Sequence, residues 1–73
     1  MEFRVDVEDE YVYIGIAPMI DPIDVDILAI AQLLIEIKKT GKIARFTVPP
    51  RVVIPFLTEM GFVPLKDGFT WEA

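Results

Sequence analysis

The 73-residue chain contains no histidine, no cysteine, no serine and no asparagine. Without imidazole there is no near-neutral proton acceptor for a Ser-His-Asp or Cys-His arrangement, and without serine or cysteine the usual nucleophiles are missing too. Only threonine, tyrosine, lysine and carboxylates remain as reactive side chains. Zinc and copper sites are excluded with them, because both metals lean on imidazole or thiolate, which leaves only hard cations held by carboxylates. The absent cysteine also removes disulfides and fits a reducing compartment. The sequence therefore offers no catalytic residue, no metal site and no cofactor, and it leans away from an enzyme. The missing asparagine and cysteine, the single glutamine and the abundant Ile and Val resemble the composition of proteins from hot environments.

Long hydrophobic runs are lacking as well. The longest, Ile27 to Ile35, is broken by Gln32 and bracketed by Asp26 and Glu36, well short of the roughly 20 apolar residues a membrane span requires. The start Met1-Glu2-Phe3-Arg4-Val5-Asp6 carries acid where a secretory signal needs basic and then apolar residues, so a cytoplasmic location is expected. The net charge of −5 is unevenly spread: residues 1–26 hold eight acids against Arg4, whereas residues 27–73 hold four acids against six bases. Such a chain lacks the basic footprint that displaces counterions from phosphates, so nucleic-acid binding is disfavoured. Its acidic front fits a basic protein partner instead.

What is present reads as one small domain over residues 1–73. Phe3, Val5 and Val7 alternate with Arg4, Asp6 and Glu8, which predicts a strand over 3–8 with one wet face. The β-branched and aromatic run Tyr11 to Ala17 predicts an antiparallel partner, with Val12, Ile14 and Ile16 on one face and Tyr11 and Tyr13 on the other. Pro18 ends it. Asp21-Pro22-Ile23-Asp24 has the form of a helix start, with Asp21 as cap and Pro22 in the first helical position, and the helix is expected to reach Lys39 or Thr40 before Gly41. A third strand is expected over Ile43 to Val48, with Ala44, Phe46 and Val48 on one face. A short second helix follows between Arg51 and Met60, its start pushed toward Val53 or Ile54 by Pro55. The tail Phe62 to Glu72 reads as a hairpin around Lys66-Asp67-Gly68, its first arm demoted to an edge by Pro64. The order is ββαβα plus one or two strands, an α/β chain of the two-layer α+β kind. Its mixed sheet carries a parallel crossover, with both helices on one face.

Three clusters invite a functional reading. Asp21, Asp24 and Asp26 are better explained as helix caps than as metal ligands, since helical spacing turns Asp24 and Asp26 about 160° apart. Lys38, Lys39, Lys42, Arg45 and Arg51 could meet an anion, but three of them complement the negative end of the first helix. Tyr11, Tyr13 and Arg45 share the strand face opposite the helices. Aromatic residues beside arginine are what binding hot spots favour, although ordinary cross-strand packing uses the same pairs.

Ile14-x-Ile16-x-Pro18, the helix after it, and Phe56-Leu57-Thr58-Glu59-Met60-Gly61-Phe62 resemble the C-terminal half of GNAT-type N-acetyltransferases over residues 11–73. That resemblance implies a strand, a cofactor-binding helix and a closing Gly-Phe segment. Its functional residues do not carry over. The family's pyrophosphate turn, Arg/Gln-x-x-Gly-x-Gly/Ala, falls on Asp21-Pro22-Ile23-Asp24-Val25-Asp26, whose carboxylates would repel the anion. Leu57 stands where the family often places a proton-donating tyrosine. The spacing of Ile37-Lys38-Lys39-Thr40-Gly41 and Arg51 to Gly61 is also similar to STAS-type domains, but their Asp-Ser-Ser-Gly switch would fall on Asp21-Pro22-Ile23-Asp24 and has no serine here.

The reading that results is a small non-enzymatic interaction or structural module that self-associates, with a degenerate acyl-CoA-binding protein, or a partial subunit of an acyltransferase, as the alternative. The partner-binding residues are expected to be Tyr11, Tyr13 and Arg45. A homodimer is expected because the helix carries more apolar surface than one sheet can cover. Ile23, Ile27, Ile30, Ala31, Leu33, Leu34 and Ile37 fill an arc of about 160°, whereas Leu28 and Ile35 fall outside it and are assigned to the dimer interface.

Overall fold

The expected alternation organises the sheet. A computed structural model describes residues 2–16 and 21–73, with the side chain of Pro22 left out; the end of the second strand at Ala17 and the stop at Pro18 lie outside the described residues. Strand β1 spans Phe3–Val7, β2 Tyr11–Ile16 and β3 Ile43–Thr47. Helix α1 spans Ile27–Lys39 and α2 Ile54–Glu59, and the short strands β4, Val63–Pro64, and β5, Thr70–Glu72, follow. The five strands lie in the order β1-β2-β3-β5-β4. β1 runs antiparallel to β2, β2 parallel to β3, and β5 antiparallel to both β3 and β4. The mixed sheet and its two helices make the α+β architecture that the element order implied.

β5 enters between β3 and β4, a placement the linear order does not dictate. Chemistry favours it, because an inner strand must offer hydrogen bonds on both sides and β4 contains Pro64, which has no N–H. β5 has no proline. Its ladder with β3 extends through Ala44 and Ala73, which exchange two bonds of 3.0 Å.

One core lies between the helices and one face of the sheet. Val12, Ile14, Ile16, Ala44 and Phe46 contribute from the strands, and Ile30, Leu34, Ile37, Val53 and Leu57 from the helical segments. Both helices thus cover the same face, as expected. β1 departs from expectation in part: Phe3 packs against the core, whereas Val5 and Val7, which share its helix-side parity, are exposed.

The start of α1 also differs from the sequence reading. Pro22–Asp24 forms a separate 3₁₀ turn in which Asp21 accepts from the Ile23 N–H at 3.1 Å, and the α-helix begins only at Ile27. Its cap is Asp26, which accepts from the Ala29 N–H at 3.0 Å. Two consecutive Asx caps therefore stand where one was expected. Ile23, expected on the buried arc, projects from the turn and is 87% exposed. At the other end Thr40 and Gly41, with φ +75°, close α1 as expected.

β3 ends one residue early. Val48, expected on the buried face, has φ +49° and half of its surface exposed, while its N–H donates to Phe69 at 2.6 Å. Left-handed backbone is uncommon for a β-branched residue and holds only where surrounding contacts impose it. Here the bond to Phe69 and the Pro49-Pro50 pair do so. The second helical segment matches its expected displaced start, with a 3₁₀ turn over Arg51–Val53 leading into α2.

The corrected helix start has a measurable consequence. Asp26→Ala should lower stability by about 1 kcal/mol, the usual cost of losing a helix cap, whereas Asp21→Ala should cost less because it releases only an exposed 3₁₀ turn. Urea unfolding of the two variants checks this, and a larger loss at Asp21 would return the helix start to residue 22.

Candidate functional site

The face of the sheet away from the helices has no covering layer among the described residues, and its side chains organise one another. Strand register places Tyr13 opposite Arg45, and Arg45 opposite Glu72 on β5. The Tyr11 and Tyr13 rings stack with centroids 5.9 Å apart and an interplanar angle of 30°. The Arg45 guanidinium carbon lies 4.2 Å from the centroid of the Tyr11 ring, within the range in which a cation is attracted by the ring's quadrupole. Its Nη2 sits 3.7 Å from Glu72 Oε2. All three site residues expected from sequence are thus together on one surface, each half-buried. Glu72 joins them, a residue sequence reasoning missed because its strand neighbour is set by the insertion of β5. The Arg45 Nε is buried without a hydrogen-bond partner, so the guanidinium retains a donor that its own fold does not use.

Beside this stack lies a hollow of about 510 Å³, bordered by Arg4, Asp6, Tyr13, Gly15, Thr47 and Val48. Gly15 helps to create it. A Cβ built there would meet only the Arg4 Cβ, at 3.9 Å, so no neighbouring atom requires glycine. Instead the missing side chain leaves a gap among the side chains of an inner strand, and Val48, in its strained conformation, forms part of the rim.

The other expected clusters disperse. Lys39 pairs with Glu36 at 3.2 Å, Lys42 reaches across to donate to the Glu8 carbonyl at 2.8 Å, Arg51 opens the second 3₁₀ turn, and Arg45 sits on the open face. Lys38 and Lys42 alone share a hollow, of about 480 Å³, whose other lining includes Glu59 and the apolar Leu34, Met60 and Phe62. Asp21 and Asp26 are both engaged as caps, and no group of three or more metal-ligating side chains occurs among the described residues. The Thr70 side chain first, and then the N–H groups of Phe69 and Thr70 through 2.9 Å bonds, hold Asp67 below its ordinary value of 3.8. That arrangement organises the turn before β5 and lies outside the stack. On α1, Leu28 and Ile35 are 68% and 49% exposed, so α2 of the same chain does not cover them.

No family model, curated protein or solved structure matches the chain.

The hollow yields a direct test of its origin. Gly15→Thr should keep the fold and raise its stability by up to about 1 kcal/mol, through the higher strand preference of a β-branched residue. Denaturant midpoints check this; a marked loss of stability would mean that Gly15 is demanded by the backbone rather than by an open surface.

Proposed function

We propose that the chain is a small non-enzymatic interaction module that self-associates and presents the open face of its sheet to a protein partner. The observation that carries this reading is the stack of Tyr11, Tyr13 and Arg45. Tyrosine and arginine offer large contact area, and here their conformations are already restrained by one another, so less rotamer entropy is lost on binding. Acidic residues Asp6, Glu8, Asp9 and Glu10 border the β1–β2 side, which suits a partner with basic character. Self-association draws support from Leu28 and Ile35, whose burial in a second copy would contribute roughly 1.5–3 kcal/mol each before association entropy.

Replacing Tyr11, Tyr13 and Arg45 together by threonine tests the face. The variant should give a wild-type far-ultraviolet dichroism spectrum yet fail to retain the proteins that the immobilised wild-type chain captures from its native extract. A variant that does not fold makes the trio scaffolding, and equal retention by both chains moves the contact elsewhere.

A degenerate acyl-CoA-binding role is the second reading, favoured by one observation. The paired residues of β2 and β3 end at Ile14 opposite Phe46 although β2 continues to Ile16 and β3 to Thr47, and the hollow opens at that point. Any such binding would lack an anion seat at the start of α1, where the Asp26 carboxylate already takes the Ala29 N–H. Acetyl-CoA or free CoA at millimolar concentration should then raise the melting temperature, and Gly15→Thr should abolish the rise. No stabilisation by either ligand removes this reading.

A further inference from the structure

The two edges of the sheet are unlike. β4 is two residues long and ends in Pro64, which blunts it as a template for a further strand. β1 is five residues long, carries no proline or lysine, and keeps an unbroken register of five consecutive pairs with β2. No strand pairs with its outer side among the described residues. The Glu8 N–H donates to the Tyr11 carbonyl at 2.8 Å, one step beyond that register. Antiparallel bonding alternates along a strand, so the even residues of β1 face β2. The N–H and C=O groups of Phe3, Val5 and Val7 therefore point to the open edge.

We infer that β1 is the seam of a homodimer in which two copies pair antiparallel about Val5, continuing the sheet across a twofold axis. This rests on the self-association reading and moves its contact from Leu28 and Ile35 on α1 to the edge of the sheet. The segment Phe3-Arg4-Val5-Asp6-Val7 is self-complementary in this register. Val5 meets Val5 of the second copy, Phe3 meets Val7, and Arg4 meets Asp6 on both sides of the axis. The outward-facing backbone groups of Phe3, Val5 and Val7 are the ones that would exchange bonds in this register. Neither Arg4 nor Asp6 belongs to an ion pair among the described residues, whose two pairs are Lys39–Glu36 and Arg45–Glu72. Val5 and Val7, 39% and 64% exposed on the helix side, would gain apolar neighbours. A shift by one pairing step places Arg4 against Arg4 in one direction and Asp6 against Asp6 in the other, and either slip pairs fewer residues of the strand. Glu2 would face Glu8 at the two ends, a repulsion outside the paired segment.

The register makes the test specific. Sedimentation equilibrium at micromolar concentration should find the wild type dimeric. Arg4→Asp and Asp6→Arg should each weaken the dimer by about tenfold or more, since two attractive cross-strand pairs become repulsive. The double variant R4D/D6R should restore it, because the opposed charges are exchanged but remain complementary. Val5→Pro provides a second route: its lost N–H is not one that β2 uses, so the chain should fold and be monomeric. A monomeric wild type overturns both the seam and self-association. A dimer indifferent to both single charge reversals, or single reversals that the double variant fails to rescue, overturns the seam alone. So does a dimer dissolved by Leu28→Glu with Ile35→Lys but not by Val5→Pro, which would place the contact on α1.

Discussion

Phe46 lies on the middle strand and is fully buried. It lies opposite Ile14 on the parallel side and Trp71 on the antiparallel side, so its burial depends on β2, β5 and the helices at once. A short chain has little apolar material to spare, and concentrating it on one side of the sheet gives a single core. The cost is that no helix covers the opposite face among the described residues. Two features follow from that asymmetry: the open face must satisfy its own side chains, and Val5 and Val7 of the outer strand β1 stay outside the core.

The open face meets this demand through local complementarity. Tyr11 and Tyr13 shield each other, Arg45 lies over Tyr11, and Glu72 balances the guanidinium from the neighbouring strand. Such packing stabilises a sheet in its own right. It also leaves an aromatic and cationic surface next to the gap at Gly15. The strain at Val48 lies where β3 turns away from that gap, and its bond to Phe69 joins the rim of the hollow to the turn that delivers β5.

Much of this was legible in the sequence because residue parity survives folding. Alternation alone separated Val12, Ile14 and Ile16 from Tyr11 and Tyr13, and helical spacing alone placed Leu28 and Ile35 away from the core, where the structure leaves them exposed. The start of α1 was misjudged for a local reason. Asp21 and Asp26 can each cap, Pro22 fits the first turn of either kind of helix, and which aspartate begins the α-helix is settled by how the chain must approach the sheet. The missed member of the site, Glu72, belongs to the same class of problem: no spacing in the linear chain relates it to Arg45.

Composition determined that this chain cannot assemble an imidazole, thiol or serine site, and periodicity determined its elements and which side of each is apolar. Those properties are local, set by side-chain chemistry and by the repeat of strand and helix. Tertiary structure decided the insertion of β5 between β3 and β4, the meeting of Arg45 with Glu72, the hollow at Gly15 and the exposure of β1. These depend on which strands become neighbours and how far two short helices reach across five strands, and such competition among distant segments for a limited core is resolved only when the whole chain packs.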